Sequence, residues 1–390
     1  MQGENIVCFS KDFGESSTSN HHVLLELARH NRVLWIDSTA TRTPELRSVR
    51  DRRRIVAKLR AFAERPRRET ENLYRVTPLV LPWPHRPTAR RFNRALVAAK
   101  LAAGTRALGM ERYQLWTFLP TVADYLDDPR ATVKVYYCVD EWSLFRGLDR
   151  TRIAEAEAEL CRKVDVVFAT SGALAESKRA LHPHVVLAPH GVEHGAFARA
   201  VERVAPMPPE LAAIRGPRIG FFGTLDDWFD AELVRTLAAR RPGWSFVLVG
   251  PERASMASLR GCGNVHFLGP RPHAALPDYA AGFDVGMIPY RDLPRMRFVN
   301  PLKAREYLAA GLAVVSTPLP ELAAMDGVTL VSGALEFEAA LGRALDFDSP
   351  AERRRRSDSM RHETWACRVE TVSEIVRKAK EERWGRNTSS

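Results

Sequence analysis

The stretch Asn300–Glu321, reading NPLKAREYLAAGLAVVSTPLPE, has the residue types and spacing of an anion site at a helix start. Pro301 suits the first helical position, where its missing N–H costs nothing, and Lys303 and Glu306 follow within the first two turns. The unpaired amides of such a start, the helix dipole and the Lys303 ammonium together suit a diphosphate. Glu306 is placed to accept hydrogen bonds from two ribose hydroxyls. A capped surface helix with an acid near its N-terminus gives the same spacing, so this segment alone leaves both readings open. Gly311 ends the helix, Ala313–Thr317 reads as a short apolar strand, and Pro318 and Pro320 limit its length.

Such a site needs a parallel sheet behind it. Short apolar strands alternate with amphipathic helices along the whole chain, the pattern of sheets covered on both faces. A first array comprises Ile6–Ser10, the helix His21–His30, Val33–Ser38, Leu115–Phe118, Val133–Val139, the helix Arg152–Arg162, Val164–Thr170 and Val185–Ala188. A second comprises Arg218–Phe222, the helix Asp230–Arg240, Phe246–Val249, Val265–Leu268, Val285–Pro289, Ala313–Thr317 and Thr329–Val331. Between them, Pro206, Pro208, Pro209 and Pro217 mark Glu202–Pro217 as a linker. The expected organisation is an α/β chain with an N-terminal Rossmann-like domain over 1–200, a linker over 201–217, a second Rossmann-like domain over 218–365, and a C-terminal helix and tail over 366–390. Two doubly wound parallel sheets facing a cleft follow, with ligands beyond the carboxyl ends of the strands. The final helix is read near Val369–Arg383, and Asn387–Ser390 as a frayed tail.

Length and composition agree. A chain of 390 residues is expected to form two domains of roughly 200 residues each. Its 45% hydrophobic and 27% charged residues are those of a globular protein, with no apolar run of about 18 residues and no room for a signal sequence before Ile6, so a cytoplasmic location is expected. The five cysteines have no paired spacing, which argues against a disulfide framework and a zinc site. A formal charge of +11 is concentrated between Arg47 and Arg106, where Ile55, Leu59 and Phe62 recur at helical spacing. That region reads either as a basic amphipathic surface for the inner face of an anionic membrane or as an arginine-rich solvated face. Nucleic acid is not expected, because no aromatic-interleaved or zinc-finger pattern accompanies the charge.

With these motifs in view, the chain resembles bacterial glycosyltransferases of the GT-B fold, most closely the retaining family-4 type of polysaccharide and glycoconjugate assembly. The resemblance is carried by SKDFGESSTSNHHVLLELAR near the start, VYYCVDEW at Val135–Trp142, APHGVE at Ala188–Glu193, IGFFGTLDDWFD at Ile219–Asp230, FVLVGP at Phe246–Pro251, NVHFLGPRPHAALPDY at Asn264–Tyr279, and the Asn300 segment. It implies that Glu306 binds the ribose, that the backbone from Asn300 through Pro301 and Leu302 to Lys303 binds the diphosphate of a UDP- or GDP-sugar, and that Arg271 lies beside the base. It further implies that the loop Phe13–Ser17, with Gly14, Glu15 and Ser16, covers the donor sugar or admits a hydroxyl acceptor, lipid-linked or not. Gly14 suits close backbone approach to a phosphate and equally suits a plain loop.

Departures from the family pattern are specific. The pattern has an arginine after the strand-end glycine and a lysine a few residues later; here Thr224 follows Gly223 and Phe229 stands near the lysine place. Arg291, Arg295, Arg297 and Lys303 are the cations available to compensate. Phe298 stands where the family has an acid eight residues before Glu306, and Val139 where it has a histidine before Asp140. Asp140 is the candidate catalytic carboxylate, able to bond sugar hydroxyls or steady positive charge at the anomeric carbon, or alternatively to cap a helix near Trp142. His21 and His22 open the first helix, and one of them is a candidate general base. Retaining chemistry needs no such base, because the departing phosphate oxygen takes the acceptor proton. His190 reads as a cleft residue that orients donor or acceptor, or as a packed hinge residue.

No Asp-x-Asp cluster with metal-type spacing occurs, and Asp226 and Asp227 are adjacent, so no metal and no cofactor besides the donor sugar are expected. No G-x-G-x-x-G follows a first strand, which disfavours a dehydrogenase. A nucleotide-sugar epimerase of the same architecture and a non-catalytic nucleotide-sugar-binding or membrane-docking protein are the two alternatives.

Overall fold

The computed structural model describes residues 1–15, 18–39, 62, 64–81, 83, 86–202 and 207–388. The chain divides into two compact units, one made of residues 1–189 and 368–390, the other of 190–367.

The first unit holds an eight-stranded sheet of β1 (Asn5–Phe9), β2 (Arg32–Ile36), β3 (Arg67–Arg68), β4 (Leu73–Val76), β5 (Tyr113–Thr117), β6 (Ala131–Cys138), β7 (Val166–Ala169) and β8 (Val185–Leu187), in the order β3-β4-β2-β1-β5-β6-β7-β8. Every pairing is parallel except β3 with β4. Ile6, Val7, Cys8 and Phe9 are fully buried, as a central strand covered on both faces requires. Sheet growth reverses direction between β1 and β5, so the carboxyl ends of these two strands flank a crevice of the kind that binds ligands in open α/β sheets.

The second unit holds β9 (Arg218–Phe222), β10 (Ser245–Val249), β11 (Val265–Gly269), β12 (Val285–Ile288), β13 (Ala313–Ser316) and β14 (Val328–Leu330), all parallel, in the order β11-β10-β9-β12-β13-β14. Here the reversal lies between β9 and β12. Two strand glycines let aromatic rings rest on this sheet: a Cβ on Gly220 would come within 2.0 Å of the Phe283 ring, and one on Gly286 within 2.7 Å of the Tyr307 ring. Tyr307 belongs to the helix Leu302–Ala309, and its hydroxyl accepts the Phe222 amide at 2.9 Å, so the helix is pinned to the end of β9.

Several expectations need correction. Pro301 is the cap of the helix Leu302–Ala309 and not its first residue, because its ψ of 117° is extended. Gly311 does end that helix, with a φ of +78° that favours glycine. Glu202–Pro217 is not element-free: Pro209–Ala212 forms one helical turn with Leu211 fully buried. The final helix runs from Trp365 to Thr388, longer than Val369–Arg383, and absorbs Asn387 of the expected frayed tail. Lys380 and Arg383 tie it to Glu4 and Asp165 at 2.7 and 2.6 Å.

Between Ser38 and Leu115 the sequence offers only the basic amphipathic stretch with Ile55, Leu59 and Phe62, yet β3, β4 and the 21-residue helix Pro87–Ala107 lie there. Arginines mask that helix's buried stripe of Ala89, Asn93, Val97, Leu101 and Gly104. The proposed amphipathic stretch with Ile55 and Leu59 lies outside the described residues. All five cysteines are free thiols, and Cys8, Cys138 and Cys161 are buried. No helix among the described residues is long and apolar enough to cross a membrane.

Candidate active site

In the second unit the loops after β9, β10 and β12 and the start of the helix Leu302–Ala309 converge at the reversal point. Pro301 supplies no side-chain cap, and the first helical turn holds no acidic residue. The amides of Leu302 and Lys303 therefore open the helix without a side-chain cap or a neighbouring acid, an arrangement that suits an anion. Lys303 extends its ammonium over the rings of Phe221 and Tyr290, at 5.3 and 5.0 Å, and donates to the Tyr290 hydroxyl. Its Cε would lie 3.0 Å from a Cβ at Gly223, whose φ of +141° also favours glycine. Gly250, after β10, packs on Gly223 so closely that a Cβ would fall 1.9 Å from the Gly223 carbonyl oxygen. Gly223 and Lys303 are thus brought together, and the ammonium reaches the strand-end glycine from the helix. Thr224 is half-buried beside them.

Phe229, near the place of the family's lysine, is buried edge-on to Phe221 at 4.9 Å between ring centres. Arg295 does not stand free to compensate, because it pairs with Asp227 and lies over Trp228. Arg297 lies over Phe298. Lys303 is the cation that the fold delivers to this place.

Glu306 is buried and accepts from His273 Nε2 at 2.7 Å. Burial alone would lower the His273 pKa, but the Glu306 carboxylate and the nearby Glu193 charge hold it above its ordinary value. The imidazole is enclosed by Phe197, 6.0 Å away and edge-on. His273 was not singled out from the sequence. Its signal was its place just past β11, where Pro272 opens the turn His273–Ala275. One oxygen of Glu306 is bonded to the imidazole, which fixes the direction of the other.

Asn300 is buried and accepts from Arg305 at 2.6 Å, holding the approach to the helix. Arg271 donates to Tyr279 Oη at 2.5 Å and to Glu210 at 3.0 Å, so its guanidinium is engaged by the turn Pro209–Ala212. His190 is buried in the second unit and not in the first, its ring 6.1 Å from that of Trp365.

In the first unit the loop after β1 is held from several sides. Asp37 accepts the Phe13 amide at 3.0 Å, Asp12 accepts from Ser38 Oγ at 2.6 Å, and the Trp35 indole donates to the Lys11 carbonyl at 2.9 Å. His21 Nε2 donates to the Phe13 carbonyl at 2.9 Å, and the ring packs on Trp35 and Phe13. Burial pushes its pKa down to about 4, and its other nitrogen is enclosed without a partner among the described residues. The expected general base is therefore corrected: His21 presents no accessible basic nitrogen and anchors the loop. His22 is also buried. Gly14 and Glu15 are exposed, and a Cβ on Gly14 would meet nothing among the described residues. Ser16 lies outside the described residues.

The His21 environment carries a pH prediction. Between about pH 6.5 and 4 the unfolded chain binds a proton that the folded chain does not, so this group's contribution to stability falls as pH drops through that window. Going from about pH 7.5 to 5 should cost the wild type about 2 kcal/mol more than His21→Gln in paired urea titrations. Equal losses in both proteins would contradict the assignment.

Asp140 follows β6 and does not cap the turn Trp142–Leu144, whose cap position is Glu141. Behind it, Lys178 Nζ bridges Glu141 at 2.9 Å and Glu157 at 2.7 Å, while Tyr136 Oη donates to Glu157 at 2.6 Å. Lys178 is 2% exposed, and its carboxylate partners hold its pKa above the ordinary value despite burial. This network fixes the segment that carries Asp140. Lys178→Met leaves the buried Glu157 and the half-buried Glu141 without their shared cation and should lower unfolding free energy by about 3–5 kcal/mol in denaturant titration. A loss near zero would show that the network contributes little.

Residues 216–346 match the family described as glycosyl transferases group 1. A Bacillus subtilis (strain 168) protein named as a candidate glycosyltransferase of teichuronic acid biosynthesis, TuaH, is 30% identical over 207 residues, covering 49% of this chain and 52% of the relative. The chain thus matches about half the length of that relative. Among solved structures, an α,α-trehalose-phosphate synthase (UDP-forming) of Burkholderia xenovorans in complex with glucose-6-phosphate is similar, with a TM-score of 0.63 and 13% identity over 96% of this chain and 100% of the other. The Anabaena HepE protein in complex with UDP-glucose has a TM-score of 0.59 and 12% identity over 99% and 100%. At such identities these likenesses establish the fold, which is GT-B.

Proposed function

We propose, from the premise that residues 216–346 are a glycosyl transferases group 1 domain, that this chain transfers a hexose from a nucleoside diphosphate sugar to a hydroxyl acceptor with retention of anomeric configuration. One observation carries the reading: the Lys303 ammonium reaches Gly223 past β9, and one turn further along the same helix Glu306 is held by His273. The opening amides of the helix Leu302–Ala309 and Lys303 hold the diphosphate, and Glu306 accepts from the ribose. As the C1–O bond to phosphate breaks, Lys303 offsets charge on the leaving group. The acceptor oxygen bonds C1 on the same face and passes its proton to the departing phosphate. Asp140 is the carboxylate proposed to steady the anomeric centre. UDP- and GDP-sugars are the donors proposed, and the solved UDP-glucose complex of a similar fold favours UDP.

Incubation with labelled nucleotide sugars tests this. Slow release of nucleoside diphosphate and free sugar from one donor is expected, whereas an epimerised donor, or bound donor left intact, would oppose it. Attachment to an anionic membrane through Arg47–Arg106 is a further part of the proposal that rests on charge. Within the described part of that region Arg90 and Arg94 are paired with Asp124 and Asp127, which reduces the free charge.

A further inference from the structure

We propose that a small polar cavity at the carboxyl ends of β2, β4 and β5 takes a hydroxyl-bearing tip of a sugar or polyol, and, resting on the transferase reading, that this molecule is the acceptor. The cavity has a volume of about 30 Å³ and is lined by Thr39, Leu81, Thr121, Tyr125, Arg90 and Asp124 among others. It adjoins the reversal between β1 and β5: Thr121 and Tyr125 follow β5, and the Tyr125 ring stacks at 5.9 Å on Phe9 at the end of β1.

Two hydroxyls point to a ligand. Thr39 Oγ1 and Thr121 Oγ1 are both buried and have no hydrogen-bond partner among the described residues, although Thr39 is only 4% exposed. Buried hydroxyls are rarely left so, and two in one cavity mark a place that a polar group completes. Arg90 grips Asp124 through two bonds of 2.8 and 2.6 Å, which leaves each carboxylate oxygen a lone pair to accept with. Asn93 bonds both the amide and the carbonyl of Leu81, at 2.6 and 3.0 Å, so that wall is fixed.

The mixture selects the ligand class. Arg90 is compensated by Asp124 and offers no spare positive charge to a phosphate or carboxylate, while the two Thr hydroxyls, the carboxylate and the guanidinium each complement an alcohol, which both donates and accepts. The space holds one or two non-hydrogen atoms, hence a hydroxymethyl or a single ring hydroxyl with the ring outside.

The test uses Thr39→Val and Thr121→Val, nearly isosteric changes that delete the hydroxyls, with Thr39→Ser as the conservative control. Methyl α-glucoside, methyl α-mannoside and methyl N-acetyl-α-glucosaminide serve as probes in saturation-transfer NMR without nucleotide, beside UDP titration and thermal melting. At least one probe should bind wild type and the Ser control. It should weaken about tenfold in each Val variant, as loss of one hydrogen bond predicts, with UDP affinity unchanged and melting no lower. Equal probe binding in wild type and the double Val variant, no probe binding at all, or lower melting with unchanged probe binding would overturn the assignment, the last identifying a structural water only. Since probes are measured without nucleotide, failure of UDP to bind would count against the transferase reading and leave this outcome separate.

Discussion

Glu306→Gln is expected to weaken binding of uridine or guanosine diphosphate by on the order of 1–3 kcal/mol, about five- to 150-fold in a calorimetric titration. The carboxylate is buried with one oxygen bonded to His273 at 2.7 Å, so a ribose in the proposed site would meet an acceptor whose direction is already set. An amide of the same shape keeps the volume and loses the charge. The same change has a second readout. His273 is held protonated above its ordinary pKa, and the pair stabilises the fold fully below the unfolded-state histidine pKa, fading as pH rises through the raised value. In Glu306→Gln the imidazole resonances should titrate at lower pH. Unchanged nucleotide affinity would remove Glu306 from the site, and an unchanged titration would remove the ion pair.

Lys303→Ala is expected to act on turnover more than on affinity. The ammonium is the cation that the fold brings to Gly223, where the family's two loop charges are replaced by Thr224 and buried Phe229. If it offsets charge on the departing diphosphate, its loss should lower kcat for donor turnover by about a hundred- to a thousandfold, with a smaller change in KM. Lys303→Arg should rescue poorly, because the stem is confined beside Gly223 and between the Phe221 and Tyr290 rings. A fall in affinity with kcat intact would instead give Lys303 a ground-state role. Retained activity in both respects would remove it from the reaction.

The elements behind the proposed donor half were legible because its parts are local. Pro301, Lys303 and Glu306 sit within two turns, and the strands on either side are short apolar runs bounded by glycine and proline. The pairing of His273 with Glu306 was not, because 33 residues separate them and only the order of β9, β11 and β12 brings them together. Arg271, which the resemblance sets beside the base, and Arg295, read as a compensating cation, illustrate the opposite limit: acids distant in sequence, Glu210 and Asp227, engage them.

In the first unit, His21 and His22 at the start of the first helix suggested base chemistry, yet Trp35 from β2 and the Phe13 loop enclose His21. Burial decides its role, and burial depends on tertiary contacts that one sequence window does not contain. The edge of the first sheet was missed for a related reason. The residues Leu73–Val76 read LYRV, and an arginine in the middle of a four-residue strand breaks the apolar run that marked the other strands.

The most direct measurement is a crystal of the whole chain soaked with uridine diphosphate and, separately, guanosine diphosphate. The pyrophosphate of at least one is predicted to lie on the amides of Leu302 and Lys303 beside Gly223, with ribose hydroxyls bonded to the Glu306 oxygen that His273 leaves unused. Density for either nucleotide at another place, with the Pro301 helix start empty, would contradict the account.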